Sequence, residues 1–184
     1  MKAVFLDRDG TLVEDKQGYL YEPEKLKFLP GAIQGLKLLQ RAGYALIIIT
    51  NQSGIARGKY GEKDYLAFRQ EMHSRLKKQN IKILAEFYCP HHPAAKIEKY
   101  RKDCNCRKPK PGMLEQAIAI EHINPEESWT IGDKPADIEA GLKAGTRAIG
   151  IISRESTEKE LASAGAEFTA NNLEEAAKYI LTHA

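Results

Sequence analysis

The sequence predicts an α/β domain built around a doubly wound parallel sheet. Apolar runs of strand length alternate with segments of helical periodicity along most of the chain. One run, residues 44–49, is apolar throughout, which is typical of a strand covered on both faces of a parallel sheet. No internal repeat or interdomain linker interrupts this pattern. Because 184 residues suit one domain, we expect residues 1–184 to form a single domain.

The first half of the chain supplies three of the expected strands. Its predicted elements are, in order, a strand at 2–6, a helix at 30–41, a strand at 44–49, a helix at 62–79 and a strand at 81–88. The first helix has clear end signals, because Pro30 suits a helix start and Gly43 a helix stop. These elements predict one edge of the parallel sheet.

A long loop separates the two halves of the chain. Residues 89–111 are rich in Pro, His, Cys and cations and lack periodicity, and the segment is much longer than the usual connection of about 4–6 residues. Such a loop needs something to order it. The alternation then resumes with helices at 112–120, 136–144, 157–164 and 173–180, and with strands at 129–131, 147–152 and 167–169.

Composition and charge exclude several classes of protein. With 42% hydrophobic and 29% charged residues, the chain is neither disordered nor collagen-like. The longest purely apolar stretch, residues 45–49, is far shorter than the ~20 residues that span a bilayer, so we expect neither export nor membrane insertion. Three cysteines cannot all pair within the chain, which favours a reducing cytoplasm.

The charge is small overall but unevenly distributed. A net charge of +3 does not indicate a nucleic-acid-binding protein, and we expect no such partner. Residues 89–111 nevertheless hold seven cationic and two acidic side chains. This loop is either a localised anion site or a solvated charged segment.

Two carboxylates follow the first strand directly, in the sequence Asp7-Arg8-Asp9-Gly10-Thr11. Such a pair can bind Mg²⁺, or one carboxylate can attack an electrophile while the other transfers protons. An ordinary Asx turn is the alternative. Because the carboxyl ends of parallel strands share one rim, polar residues after the other strands should lie near this pair.

Three further segments reach the same rim and suit an anionic ligand. The segment after the second strand consists of Thr50, Asn51, Gln52 and Ser53, whose hydroxyl, amide and backbone N–H groups could hold phosphate oxygens. Arg107 and Lys108 could neutralise a phosphate. Asp133 could share a Mg²⁺ ion with Asp7, while Lys134 and Asp137 support the site or Asp137 caps the next helix. Each segment alone also fits a polar turn or loop.

The long loop carries the spacing of a metal site. Cys89 and His91 stand at its start, and Cys104 and Cys106 follow after twelve intervening residues. Three thiolates and one imidazole complete a closed tetrahedral Zn²⁺ site, which indicates a structural metal that orders the loop. His92 could replace His91, and three buried or reactive cysteines in a metal-free loop are the alternative.

In this order, the four rim segments resemble the motifs of the haloacid dehalogenase superfamily of aspartyl-dependent phosphohydrolases, over almost the entire chain. The resemblance implies a Rossmann-like domain without a separate cap domain. It also implies that Asp7 is the nucleophile and Asp9 the general acid and base, with a backbone carbonyl that binds Mg²⁺. Thr50 and Lys108 would be phosphate ligands, and Asp133 a Mg²⁺ ligand.

Within the superfamily, the Cys-Pro-His-His-Pro, Cys-Asn-Cys-Arg-Lys-Pro and Thr-Asn-Gln-Ser-Gly-Ile-Ala-Arg-Gly sequences resemble the D-glycero-D-manno-heptose 1,7-bisphosphate 7-phosphatases. The resemblance implies removal of the 7-phosphate of a small sugar phosphate, a heptose 1,7-bisphosphate, for surface polysaccharide synthesis. A single domain without a cap favours a monomer. Arg107, with Lys110, would then serve the phosphate that is not cleaved. A histidinol-phosphate phosphatase is the alternative, and a noncatalytic zinc module that binds polyanions is a more distant one.

Overall fold

A parallel sheet organises residues 1–16 and 18–183, which are the residues that the computed structural model describes. Its strands are β1 (Ala3–Leu6), β2 (Ala45–Asn51), β3 (Ile83–Cys89), β4 (Trp129–Gly132), β5 (Arg147–Ile151) and β6 (Phe168–Ala170). They are joined in the order β3-β2-β1-β4-β5-β6, and every pairing is parallel. The order changes direction between β1 and β4, where such sheets bind their ligands. The predicted fold class is confirmed.

Helices cover both faces of the sheet. They are α1 (Ala32–Arg41), α2 (Ser53–Ala56), α3 (Glu62–Lys78), α4 (Gly112–Glu121), α5 (Pro135–Lys143), α6 (Glu158–Ser163) and α7 (Leu173–His183). The predicted helices and strands are all present, with bounds shifted by up to three residues. The prediction missed α2, because four residues are too few to show helical periodicity. None of the helices in the described part of the chain has the length and hydropathy of a membrane span.

The first strand lies between two apolar cores. All four of its residues are buried. Val4 and Leu6 pack in a core that includes residues of α1, α3 and α7. Ala3 and Phe5 point to the opposite face and pack in a core with residues of α4 and α5. Because both faces are covered, β1 is fixed rigidly and delivers the residues that follow it to a defined position.

The long loop is attached to the rim at its middle and near its end. Near its middle, the backbone N–H groups of Lys96 and Ile97 each donate to the carbonyl of Ala56, at 3.1 Å. Near its end, the Asn51 side chain donates to the Lys108 carbonyl at 3.1 Å and accepts from the Lys108 N–H at 3.2 Å. These contacts bring the cationic end of the loop to the carboxyl end of β2.

Gly10 allows the first strand's loop to approach the end of β4. Its φ is +87°, and a Cβ built on it would lie 2.2 Å from Oδ2 of Asp133. A larger residue would therefore be strained and would also collide with that carboxylate. The backbone thus turns sharply directly after the two carboxylates of the first motif.

Candidate active site

A lysine from the long loop lies among carboxylates at the rim. The Nζ of Lys108 donates to Oδ1 of Asp7 at 2.7 Å and to the carbonyl of Ile49 at 2.8 Å, and it lies 2.6 Å from Oδ1 of Asp137. Only 3% of Lys108 is exposed. Burial acts to lower its pKa, but Asp137 and Asp7 outweigh burial and hold the pKa above its ordinary value. Lys108 therefore stays charged at neutral pH.

Three carboxylates converge beside this ammonium group. Asp7, Asp133 and Asp137 each offer an oxygen that lies within 4.8 Å of the others. Asp133 is fully buried, and burial together with the charges of Asp7 and Asp137 raises its pKa to about 8. Its Oδ2 accepts a hydrogen bond from Ser153 at 3.0 Å, while its Oδ1 has no partner among residues 1–16 and 18–183.

This cluster has the features of a divalent-cation site. A hard cation such as Mg²⁺ prefers carboxylate and carbonyl oxygens. It would offset the excess negative charge and give the buried Oδ1 of Asp133 a partner. Asp137 is less available, because its Oδ1 pairs with Lys108 and its Oδ2 accepts from the N–H of Lys134 at 3.0 Å. Asp7 and Asp133 thus remain as the carboxylates best able to hold the ion.

Asp9 lies in the same cavity but outside the three-carboxylate cluster. Arg8 donates from Nε to Oδ1 of Asp9 and from Nη2 to Oδ2, each at 2.9 Å. Gln52 donates from Nε2 to the same Oδ2, also at 2.9 Å. Burial raises the pKa of Asp9, and the charge of Arg8 opposes this shift. The structure thus separates the two carboxylates of the first motif into different environments.

A cavity of about 470 Å³ opens over these groups. Its lining includes predicted site residues from all four rim segments, namely Asp7, Asp9, Asn51, Gln52, Ser53, Lys108, Asp133, Lys134 and Asp137. Two predicted substrate ligands are not part of that lining. Thr50 lies beneath Gln52, whose Nε2 donates to its hydroxyl at 2.8 Å. The Arg107 side chain lies against the start of its own loop, where it donates to the His91 carbonyl at 3.3 Å.

Two side chains at the end of β2, those of Thr50 and Gln52, differ in how many hydrogen bonds they make inside the fold. Gln52 is 1% exposed, and its amide oxygen accepts from Arg8 and from the hydroxyl of Tyr60. Since its amide nitrogen donates to Asp9 and Thr50, both ends of the Gln52 amide are engaged. The hydroxyl of Thr50 accepts from Gln52 and keeps its own proton for another acceptor.

The predicted zinc ligands form a second cluster. The Sγ atom of Cys106 lies 3.1 Å from the Sγ atoms of both Cys89 and Cys104. The Nδ1 atom of His91 lies 3.3 Å from Cys106 and 3.7 Å from Cys89. A tetrahedral zinc site with bonds of about 2.0–2.3 Å requires its ligand atoms to be separated by roughly 3.3–3.8 Å. The two nitrogen–sulfur separations fall in this range and the two sulfur–sulfur separations are slightly shorter, so three thiols and one imidazole gathered here suit a structural Zn²⁺ ion after a small outward shift of the sulfurs.

The neighbouring histidine has different contacts. The Nε2 of His92 lies 3.0 Å from Nη2 of Arg57, and its Nδ1 accepts from the N–H of Ala94 at 3.1 Å. His91, rather than His92, is therefore the imidazole that meets the thiols.

Some residues of the site escaped the sequence analysis. Ser153 binds Asp133, and it follows β5, so the rule that ligands lie at the carboxyl ends of strands could have found it. Arg154 donates to the carbonyl of Lys16 at 2.8 Å and thereby joins the loops that wall the cavity. Arg8 stands inside the first motif, but its sequence position does not reveal that it is buried against Asp9.

Comparisons with known proteins give consistent results. A family model described as HAD-hydrolase-like matches residues 105–176. A D-glycero-β-D-manno-heptose-1,7-bisphosphate 7-phosphatase from Haemophilus influenzae is 48% identical over 143 residues, which cover 78% of this chain and 77% of that protein. The protein of the same name from Escherichia coli K12 is 42% identical over 142 residues, covering 77% and 74%.

Solved structures resemble the whole chain. The D,D-heptose 1,7-bisphosphate phosphatase from B. bronchiseptica, complexed with magnesium and phosphate, has a TM-score of 0.86 and 29% identity, with 100% of both chains covered. The D,D-heptose 1,7-bisphosphate phosphatase from Burkholderia thailandensis has a TM-score of 0.69 and 24% identity, with 99% of each chain covered. At that identity the second similarity concerns the fold alone.

Proposed function

Because the chain belongs to the haloacid dehalogenase-like family of heptose-1,7-bisphosphate 7-phosphatases, we propose that it hydrolyses the 7-phosphate of D-glycero-D-manno-heptose 1,7-bisphosphate and releases heptose 1-phosphate. The observation that carries this proposal is the meeting of Asp7, Asp133 and Lys108 at one cavity. The names of the relatives favour the β-anomer as substrate. The product would feed nucleotide activation and surface polysaccharide synthesis.

The proposed first step transfers the phosphoryl group to Asp7. An Asp7 carboxylate oxygen bonds to the phosphorus, the bond between phosphorus and the sugar oxygen breaks, and Asp9 gives its proton to that oxygen. Lys108, within 2.7 Å of Asp7, offsets the repulsion between the carboxylate and the phosphate. A magnesium ion held by Asp7, Asp133 and the Asp9 carbonyl would supply the remaining charge compensation.

The second step returns the enzyme to its starting state. Asp9 takes a proton from water, the resulting hydroxide bonds to the phosphorus, and the bond between phosphorus and Asp7 breaks. Inorganic phosphate then leaves. Both steps use Asp9 for proton transfer, so its carboxylate must be presented to the cavity in each of them.

Other residues of the rim would bind the substrate. We assign the Thr50 hydroxyl, Asn51 and Ser53 to the phosphate that is cleaved, since these residues end β2 or begin α2 at the rim. Gln52 is not assigned to the phosphate, because its backbone N–H donates to the Cys89 carbonyl at 2.8 Å and its side-chain amide is engaged at both ends. Lys134 would support the site from its wall.

Arg107 is assigned to the 1-phosphate that stays on the sugar. Its neighbour Lys108 is fixed at Asp7, so Arg107 would have to leave the His91 carbonyl to contact the substrate.

Zinc would act on this site through the position of the loop. Cys106 lies in the metal cluster and stands two residues before Lys108. Fixing the Cys106 sulfur therefore restricts where the Lys108 ammonium can lie. This role is structural, because four protein ligands leave the metal no open coordination position.

We further propose a monomer in the cytoplasm. The large apolar side chains that are exposed in the described part of the chain include Leu66, Ile120, Leu142 and Leu181, and these come from four different helices. Each of these helices contributes a single such side chain, so none of the four presents an apolar stripe to a second subunit. Sedimentation velocity of the purified protein would give a single species of about 20.6 kDa; a dimer would reject this part of the proposal.

The deciding experiment compares substrates with the purified zinc-loaded enzyme and Mg²⁺. Phosphate release is measured from both anomers of the heptose bisphosphate and from histidinol phosphate. We expect the β-anomer to have the highest kcat/KM. A preference of orders of magnitude for histidinol phosphate would establish the other branch. Binding of polyanions without any hydrolysis would support the noncatalytic alternative.

Two variants test the assigned chemistry. Asp7→Asn should abolish turnover, and no phosphoenzyme should be trapped from it. Asp9→Asn should reduce turnover by about 10²–10⁴-fold, the usual contribution of general acid–base catalysis. Both should keep the fold, as judged by circular dichroism. Near-normal turnover in either variant would contradict the assignment.

A further inference from the structure

The general acid and base of the proposed reaction is bound by an unusually buried cation. Arg8 is only 1% exposed, although arginine is almost always at the surface unless it is paired. Its guanidinium group contacts Asp9 through Nε and Nη2 in the two-pronged geometry that arginine forms with carboxylates. A buried ion pair gives a fold little advantage over an apolar pair of similar size. Its presence beside the reacting groups therefore calls for a functional explanation.

Arg8 is itself held in one orientation. Its guanidinium lies 4.7 Å from the ring centre of Phe68 and 5.6 Å from that of Tyr65, both on α3. Such distances are typical of cation–π contacts. Nη2 uses one of its two hydrogens for Asp9, and the carbonyl of Leu20 at 3.1 Å and Oε1 of Gln52 at 3.2 Å share the other. Arg8 thus connects a helix of the core to the Asp9 carboxylate.

The contacts leave one oxygen of Asp9 freer than the other. Oδ2 accepts hydrogen bonds from both Arg8 and Gln52. Oδ1 accepts one hydrogen bond, from Nε of Arg8. The Nη2 atom of Arg8 also lies 2.9 Å from Oδ1, but it donates to Oδ2. A carboxylate oxygen has two lone pairs, so Oδ1 keeps one for a further proton. The Asp9 side chain remains 19% exposed and lines the cavity.

We propose that Arg8 is the positioning residue for Asp9 and that it holds the carboxylate so that Oδ1 faces the cavity for proton transfer. The inference rests on the proposed function, because it requires Asp9 to be the acid and base. Arg8 touches neither the substrate nor the phosphoryl group in this scheme. It acts through Asp9, with Gln52 as the second donor that fixes the plane of the carboxylate.

This role predicts a dependence on the leaving group. A sugar alkoxide must receive a proton as it departs, whereas 4-nitrophenolate is stable enough to leave without one. Misplacing Asp9 should therefore slow the transfer of phosphate from a sugar to Asp7 much more than the transfer from 4-nitrophenyl phosphate. A general disturbance of the fold would slow both reactions by the same factor.

The test uses Arg8→Met in the zinc-loaded enzyme with Mg²⁺, because methionine can still pack against Phe68 and Tyr65 but donates no hydrogen bond. Single-turnover rates of phosphoenzyme formation are measured with heptose bisphosphate and with 4-nitrophenyl phosphate. We expect a loss of roughly 10²-fold for the sugar substrate, at the low end of acid catalysis, and less than about 5-fold for the aryl substrate. Equal losses for both substrates would overturn the proposal.

Two more variants sharpen the result. Arg75→Met is the matched control, since Arg75 on α3 also binds a carboxylate, that of Glu71, and a carbonyl, that of Leu26. It should leave the ratio of the two rates unchanged. Arg8→Lys keeps the buried charge with fewer donors, so it should restore part of the sugar rate. If Arg8→Met does not fold, the ratio measured with Arg8→Lys decides: a selective loss for the sugar supports the proposal, and an unchanged ratio rejects it.

The same data separate this inference from the proposed function. Wild-type enzyme that releases nitrophenolate but does not cleave heptose bisphosphate would refute the proposed substrate. Wild-type enzyme that cleaves both, together with equal losses in Arg8→Met, would refute the positioning role alone.

Discussion

Replacing Asp133 by Asn should stabilise the magnesium-free protein, and increasingly so as pH rises. Asp133 is fully buried, and burial with the charges of Asp7 and Asp137 raises its pKa to about 8. Its pKa in the unfolded chain is about 3.9. A carboxyl group whose pKa is higher in the folded state gives its full stability below pH ~4, and the fold loses that stability as pH rises towards 8. Asparagine cannot ionise, so the variant avoids the loss.

The size of the effect follows from the two pKa values. Each pH unit between them changes the free energy of unfolding by about 1.4 kcal/mol. The difference in the free energy of unfolding between Asp133→Asn and wild type, called the gap below, should therefore grow by roughly 4 kcal/mol from pH 5 to pH 8 and then level off. Magnesium should narrow the gap, because an ion that binds only the folded wild type stabilises it by mass action.

Urea unfolding at fixed pH values measures this gap. The buffer is made free of magnesium without a chelator, so that zinc stays in its cluster. Asp103→Asn is the control, since the Asp103 side chain is 75% exposed and pairs with Lys110 at the surface. That change should alter stability by less than about 1 kcal/mol, as for other exposed pairs. Parallel pH profiles for wild type and Asp133→Asn would refute the reasoning.

Three other measurements address the rest of the molecule. Burial acts to raise the pKa of Glu86, but hydrogen bonds from His73 and Tyr65 outweigh burial and lower the pKa. Glu86→Gln should therefore lower the free energy of unfolding in urea by about 1–3 kcal/mol at pH 7. This difference between wild type and variant should shrink as pH falls below ~4.5. Gly141→Ala would place a Cβ 2.5 Å from Cβ of Thr130, so its melting temperature should fall by an amount equivalent to about 1–3 kcal/mol. Removing zinc with a chelator, which is then dialysed away before Mg²⁺ is supplied, should lower the melting temperature and turnover together, and added Zn²⁺ should restore both. Unchanged turnover without zinc would show that the loop does not need it.

The convergence of distant motifs was predictable because topology determines it. In a parallel sheet, residues that follow strands share one rim, so Asp7, the segment from Thr50 and Asp133 had to lie together. The cysteine and histidine spacing likewise predicted the second cluster, because paired ligands at short spacing close a tetrahedral site. Both inferences need only the order of elements and the separation of residues along the chain.

Side-chain orientation was beyond the reach of this reasoning. Arg8 is adjacent to Asp9 in sequence, but its burial depends on Phe68 and Tyr65, some sixty residues away on α3. Gln52 belongs to a predicted phosphate-binding segment, yet the folded chain commits its amide to four internal partners, which include Arg8. Such contacts depend on how helices pack against the sheet, and local sequence carries no signal of that packing.

The position of Lys108 explains why this fold needs an ordered loop. Asp7 and Asp137 are fixed by β1 and α5, so their relative position is set by the core. The cation between them comes instead from a segment of about twenty residues that contains one short 3₁₀ turn, Glu98–Tyr100, as regular structure among its described residues. Ordering a residue's backbone costs about 1–2 kcal/mol, so surface contacts alone are a weak means of fixing such a segment. The metal cluster ends at Cys106, two residues before Lys108. It therefore fixes the loop next to the lysine that compensates the charges of Asp7 and Asp137.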